Sequence, residues 1–211
     1  MTETAASSGH VAHELVLASG NPGKLRELGE MFEPLGWVVR PQSDWEIPEA
    51  VEDGLSFIEN ALIKARHASR LTGLPALGDD SGLAVDALQG RPGIYSARYA
   101  GPGAGDGANN RKLLEALAEF EGADRGAHFY CAMALVRHGG DPAPLISIGR
   151  WDGRILTEPA GSGGFGYDPL FWVEEEGCSS AQLPPEVKNR LSHRGQALRA
   201  MSRQMENDFG G

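Results

Sequence analysis

The segment LGDDSGLAV, Leu77 to Val85, sets two carboxylates, Asp79 and Asp80, side by side in an otherwise apolar run. Adjacent like charges beside a core are costly unless a metal, a shared proton or solvent offsets them. Carboxylates suit Mg2+, which takes one or two of them together with waters and substrate phosphates, and Glu52 lies upstream as a further oxygen ligand. The alternative is turn chemistry, because Asp-Asp-Ser-Gly is also a common surface turn.

Three other segments carry groups that could act with this pair. SGNPGK, Ser19 to Lys24, follows the apolar run ELVLAS and precedes a helical pattern. A strand that ends in such a turn and opens a helix aims backbone N–H groups and the positive helix end at one spot, which attracts phosphate. It is not a Walker A loop, which needs four residues between its glycines and Ser or Thr after the lysine; an ordinary turn between strand and helix remains the other reading. GSGGFG, Gly161 to Gly166, fits G-x-G-x-x-G literally, but Tyr167-Asp168-Pro169 follows where a dinucleotide-binding turn must open a helix. What remains is either a glycine-rich approach presenting Phe165, Tyr167 and Asp168 as an aromatic platform for a base, or a loop that tucks Phe165 into the core. From the segment alone the second is favoured. SHRG, Ser192 to Gly195, puts His193 and Arg194 together shortly after Lys188, as a donor cluster or as a solvated basic patch. The terminal DFG has no catalytic loop or lysine pattern around it and is coincidence.

The elements that must position these groups follow from periodicity. Glu14 to Ser19 reads as a strand and Lys24 to Gly36 as a helix, with Leu25, Leu28, Met31, Phe32 and Leu35 recurring at helical spacing. SFIENALIKARHASRLTG predicts a helix with a capping box at Ser56 and Glu59, a stop at Gly73, and Asn60 and Lys64 on one face. LGDDSGLAV reads as a strand ending in a turn, and QGRPGIYSARYAGPGAGDG as a loop of functional length. A further helix is expected over about Asn109 to Phe120, a central strand at HFYCAMALVRH, a hairpin around Asp152-Gly153, and a final helix from about Pro185 to Met205. Helices interspersed with strands imply an α/β fold with a mixed sheet.

Bulk properties narrow the function classes. At 211 residues, 41% hydrophobic and 23% charged, the chain suits one folded domain. A net charge of −10, from 29 acidic and 19 basic residues, argues against broad binding to nucleic acid or an anionic membrane. Two cysteines without metal-ligand spacing point to a reducing compartment. The start MTETAASSGHVAHE has neither a basic nor an apolar region of a signal peptide, so a cytoplasmic protein is expected, with residues 1–13 a flexible tail and 14–207 a single domain.

Taken together, LASGNPGKLREL, EDGLSFIENALIKARHA, LGDDSGLAVDALQGRPGIYSARYAG, EPAGSGGFGYDPLF and LSHRGQAL resemble, in the same order, the motifs of the inosine triphosphate pyrophosphatases. The resemblance runs from about Leu15 to Met201 and implies an elongated two-lobed α/β fold, with a long central mixed β-sheet flanked by helices and the active site in the cleft between lobes. It implies hydrolysis of non-canonical purine nucleoside triphosphates (dITP, ITP and XTP) to the monophosphate and pyrophosphate, with Mg2+, at least one per subunit, in a homodimer. Position by position, Ser19, Gly20, Asn21, Pro22, Gly23 and Lys24 match the phosphate-binding turn and Lys64 a second phosphate cation. Glu52 and Asp80 match the metal carboxylates, Asp80 also the proton acceptor, and Ser81 a substrate contact. Phe165, Gly166, Tyr167 and Asp168 match the base pocket, with Phe165 stacking on the purine and Lys188, His193 and Arg194 completing it. The pattern departs at Val51, where members often carry a second acidic residue before the position of Glu52.

The chemistry that follows is phosphoryl transfer, which needs placement and charge neutralisation more than covalent catalysis. Lys24, Lys64 and the helix end would hold the leaving pyrophosphate while Asp80 positions water against the α-phosphorus. Two other functions fit the same parts: a house-cleaning pyrophosphatase for other modified nucleotides, and a nucleotide-binding regulator without turnover.

Overall fold

A computed structural model describes residues 13–20 and 22–209. The chain begins with strand β1 (His13–Leu17), helix α1 (Pro22–Phe32) and strand β2 (Trp37–Pro41). Helix α2 (Phe57–Thr72) then leads to strand β3 (Ala76–Val85). Helix α3 (Asp106–Ala116) precedes the long strands β4 (Gly126–Val136) and β5 (Leu145–Ile155). Short strands β6 (Phe171–Val173) and β7 (Cys178–Ser179) and helices α4 (Pro185–Leu191) and α5 (His193–Phe209) complete it.

The strands form one open sheet in the order β2-β1-β3-β4-β5-β6-β7. β1 runs parallel to β2 and β3, and every later pair is antiparallel. This is the mixed α/β architecture the sequence implies, with two lobes built on it. In the first lobe, one face of the sheet carries α1 and α5 over Leu15, Leu17, Leu77 and Met133. The other face carries α2, whose Ala61, Ala65 and Ala68 lie on Val16, Ala76 and Ala134. The second lobe gathers the far ends of β3, β4 and β5 with α3 and β6 around Leu83, Leu113, Phe129, Trp151 and Phe171.

α2 is the element whose local signals were clearest. Ser56 caps it by accepting from Glu59 N at 3.2 Å, the Glu59 carboxylate reaches back to Leu55 N at 2.8 Å, and Gly73 closes it in a left-handed conformation. Its approach to the sheet depends on Gly78, where an added Cβ would lie 2.3 Å from Ala61 O and 2.8 Å from Ala65 N. Any side chain there would push α2, and with it Asn60 and Lys64, off β3.

Several sequence expectations are corrected. β3 does not end at Asp-Asp-Ser-Gly; it pairs with β4 without a break from Ala76↔Val136 to Val85↔Ala127. The expected hairpin at Asp152-Gly153 is continuous strand: β5 pairs through Asp152 and Gly153 with His128 and Ala127. Burial outweighs turn propensity here, because Trp151 and Ile155 enter one cluster with Phe129 and Phe171 only if the strand continues. The reversal lies instead in residues 137–144, where the buried Asp141 carboxylate accepts from Arg137 N and Ala143 N, each at 2.9 Å. The last helical stretch is broken at Ser192, whose extended backbone (ψ 153°) separates α4 from α5. α3 starts at Asp106, earlier than apolar spacing alone indicates, and ends at Ala116.

Candidate active site

The strand through Asp79 and Asp80 divides the pair. Successive side chains of a strand point to opposite faces, so Asp79 enters the α1/α5 side and Asp80 the α2 side. Asp79 is buried, and Lys24 Nζ donates to both its oxygens, at 2.9 and 2.7 Å. Burial alone would push the Asp79 carboxyl up; Lys24, with Arg194 and Lys64 behind it, outweighs that and holds it below the usual carboxylate range. What offsets this charge is therefore Lys24, at the start of α1.

Asp80 is only partly buried and belongs to a second cluster. Its Oδ2 accepts from Asn60 Nδ2 at 3.1 Å and its Oδ1 from Ser81 N at 3.0 Å. Lys64 Nζ lies 3.7 Å from Asp80 Oδ1 and 3.3 Å from Glu52 Oε1, so one lysine joins the two expected metal carboxylates. Burial raises the Asp80 pKa, Lys64 and Asn60 oppose the rise, and Glu52 adds to it. No group of three or more His, Cys, Asp or Glu side chains forms a metal cage among the described residues. Two convergent carboxylates fit Mg2+, which binds through one or two of them and takes its remaining oxygens from water and phosphate.

Both clusters lie just past the point where β1 stops pairing with β3. β1 pairs with β3 only at Val16↔Ala76 and Leu17↔Leu77, so beyond Leu77 this edge of β3 is uncovered by β1. The chain leaves β1 through α1 to β2 on one side, while β3 lies on the other, and ligands of parallel sheets bind at such a switch point, outside the carboxyl end of the strand. Ser19 and Gly20 follow β1 here, and Pro22, Gly23 and Lys24 open α1. Asn21 lies outside the described residues.

A cavity of about 850 Å3 lies among Ser81, the start of α3, α5 and the 163–168 loop. Its walls include Ser81, Phe165, Gly166, Lys188, His193 and Arg194, whereas the Asp80–Lys64–Glu52 cluster does not line it and adjoins it through Asp80, the neighbour of Ser81. Phe165 is 60% exposed, which overturns the reading that tucks it into the core. Lys188 Nζ and the Arg194 guanidinium carbon lie 5.5 and 5.7 Å from the centre of its ring. His193 stacks on Phe129, with ring centres 4.8 Å apart and 11° between planes. Burial, followed by the charges of Arg194 and Lys188, pushes its pKa down to about 3, so the imidazole is neutral. His193 Nδ1 and Arg194 Nε are buried and lack hydrogen-bond partners among the described residues.

Tyr167 and Asp168 hold this platform rather than face solvent. Both are buried; Tyr167 donates from its hydroxyl to Ser96 O at 2.8 Å. The Asp168 carboxylate accepts from Phe165 N, Ser180 Oγ and Lys188 Nζ, at 2.8, 2.9 and 2.5 Å. A family model for the Ham1 family matches residues 15–204.

The chain belongs to the Ham1 family.

A dITP/XTP pyrophosphatase of Pseudomonas aeruginosa is 59% identical over 194 residues, covering 91% of this chain and 96% of that protein. One from Vibrio cholerae is 54% identical over 193 residues, covering 92% and 96%. Among solved structures, a HAM1 protein from Coxiella burnetii superposes with a TM-score of 0.89 at 48% identity, covering 92% of this chain and 99% of that one. A nucleoside-triphosphatase, dITP/XTP pyrophosphatase from Mycobacterium abscessus, gives 0.77 at 44% identity over 89% and 97%.

Sequence reasoning missed the pairing of Lys24 with Asp79, the bond from Asn60 to Asp80, and Ser180 beneath Asp168. None carries a motif of its own. Only the alternation of a strand through Asp79-Asp80 could have separated the two aspartates in advance.

Proposed function

We propose that this protein hydrolyses dITP, ITP and XTP to the nucleoside monophosphate and pyrophosphate, removing these triphosphates from the nucleotide pool. The observation that carries the reading is a pair of neighbouring features: an exposed aromatic face beside two cations in the cavity, and a carboxylate pair joined by a lysine at Asp80, next to the cavity wall at Ser81. The activity named for the curated relatives supports the same substrate class.

The residues divide the work by position. The ring of Phe165 stacks on the purine, an interaction worth about 1–3 kcal/mol per base. Arg194 and His193 offer the buried polar atoms that lack protein partners, and a donor there pairs with the 6-oxo group of hypoxanthine or xanthine. The 6-amino group of adenine would oppose donor to donor, and a buried donor left unpaired costs about 1–3 kcal/mol. Lys24, Lys64 and the amino end of α1 hold the phosphates. Mg2+ held by Asp80 and Glu52 supplies charge neutralisation at the phosphates when bound.

Asp80 orients a water in line with the α-phosphorus and accepts its proton. The hydrogen bonds from Asn60 and Ser81 fix the carboxylate for this task. Burial, by raising its pKa, moves it toward the range where a base works best. The bond that forms joins the water oxygen to the α-phosphorus; the bond that breaks joins that phosphorus to the bridging oxygen, and pyrophosphate departs.

The same reading places residues 14–207 as one catalytic domain, in a cytoplasmic homodimer with at least one Mg2+ per subunit. Among the described residues no helix is long and apolar enough to cross a membrane, and the net charge of −10 disfavours nucleic acid as a partner. A panel of ITP, XTP, dUTP and GTP with Mg2+ tests the proposal through pyrophosphate release. ITP and XTP should be consumed far faster than the other two. Preferred turnover of dUTP or GTP would mean another modified-nucleotide pyrophosphatase, and ITP binding without product a regulator.

A further inference from the structure

The aromatic platform is exposed, yet its backbone is gripped from a helix 60 residues earlier in the chain. Phe165 points into the cleft while Tyr167, two residues later, is buried, and the chain turns between them at Gly166, in the left-handed region at φ 62°. Both polar groups of Gly166 are taken by side chains of α3. Gly166 N donates to Asp106 Oδ2 at 2.7 Å, and Asn110 Nδ2 donates to Gly166 O at 3.0 Å. Asp106 and Asn110 are four residues apart, on one face of the helix, and so bracket a single residue of the loop.

α3 is itself anchored on both sides. Leu113 is fully buried in the second-lobe core. Asn109, buried, accepts from Ala100 N at 2.8 Å and donates to Ala97 O at 3.1 Å. The preceding amide, Phe165 N, is held by Asp168. Every N–H from Phe165 to Gly166 is thus assigned to a carboxylate of the protein, and neither is left for a ligand.

We propose that Asp106 and Asn110 are positioning residues for the purine: by fixing the Gly166 backbone they set the height and tilt of the Phe165 ring over the cleft before substrate arrives. The inference rests on Phe165 being the base platform. A residue that keeps 60% of its surface exposed has little packing to orient its ring, so its placement depends on the two peptide groups beside it. Stacking depends steeply on ring separation and offset, and a preformed platform loses less rotational freedom on binding. α3, whose Asp106 and Asn109 border the same cavity, therefore acts on nucleotide affinity and leaves the reacting phosphate alone, since Asp80 and Lys64 belong to β3 and α2.

The test is a KM-against-kcat split on the full-length protein with Mg2+. Asp106→Ala and Asn110→Ala should each raise KM for ITP about tenfold, the factor expected when a hydrogen bond to a charged group or a half-buried peptide is lost. kcat should stay within about twofold, and Asp106→Asn, which keeps an acceptor, should recover most of the loss. Unchanged KM in both alanine variants would overturn the inference. So would a loss confined to kcat, or one that merely follows a fall in folded fraction measured by thermal unfolding. Absence of ITP turnover in the unaltered protein is a different result: it removes the proposed function, and the inference with it.

Discussion

Lys24 grips both carboxylate oxygens of Asp79 from across the α1/α5 face, and this contact takes one of two adjacent aspartates out of the metal question. Asp79 is fully enclosed, whereas the lysine side chain keeps 18% of its surface exposed. Removing the lysine strands a buried charge; removing the carboxylate leaves a flexible ammonium that can turn to water. Lys24→Met should therefore lower stability by about 3–5 kcal/mol, the usual cost of breaking a buried pair from one side. Asp79→Asn should cost clearly less. Urea denaturation of the two variants at neutral pH measures both, and equal losses would contradict this placement of the pair.

Asp80 should behave differently from its neighbour. It lies on the other face of β3, where Asn60, Ser81 N and Lys64 converge on it. Asp80→Asn keeps the shape but loses both the proton acceptor and an anionic metal ligand. Pyrophosphate release from ITP should fall by about 10²–10⁴, the contribution general bases typically make. Titration with Mn2+ in the absence of nucleotide should show weaker binding, while the urea midpoint moves little. Asp79→Asn should leave the Mn2+ titration close to that of the unaltered protein. Reversed behaviour of the two variants would exchange their roles.

The sequence made the capping of α2 legible because Ser56, Glu59 and Gly73 act over a few residues. It also made the strand and turn before Lys24 legible, since apolar runs and a proline at a helix start are local signals. The path of β5 through Asp152-Gly153 was not, because the burial of Trp151 and Ile155 among distant aromatics decides it. Within the site, the candidate residues were legible as motif residues of the family. Lys24 and Asp79, 55 residues apart, and Asp106 and Gly166, 60 apart, meet only through sheet topology and helix placement, and no local pattern encodes either contact.

Phe165 offers a clean separation of binding from stability. Phe165 is largely exposed and the charges of Lys188 and Arg194 flank its ring, so Phe165→Ala removes little packing. Its effect on unfolding should stay within about 0.5 kcal/mol. KM for ITP should rise by about tenfold to a hundredfold, in keeping with the loss of one stacked base. Tyr167→Phe should show the opposite profile: loss of the buried hydroxyl's bond to Ser96 O lowers stability by about 1 kcal/mol, with smaller effect on KM. Steady-state kinetics beside thermal unfolding of both variants separates the platform from its support.

His193 makes stability depend on acid in a defined direction. Burial against Phe129, with Arg194 and Lys188 nearby, pushes its pKa down to about 3 from the ordinary 6.5. Between these values the unfolded chain binds a proton that the folded protein refuses, so stability is fully present above about pH 6.5 and is lost as pH falls toward 3. One such group gives a slope of at most about 1.4 kcal/mol per pH unit. Asp79, whose pKa is lowered in the fold, adds to the loss only below the ordinary carboxylate value of 3.8. Urea midpoints measured from pH 7.5 to 4.5 should thus decline, and His193→Gln should flatten the decline between pH 6.5 and 5, where Asp79 does not yet titrate. A slope that survives this substitution would assign the acid sensitivity to another group.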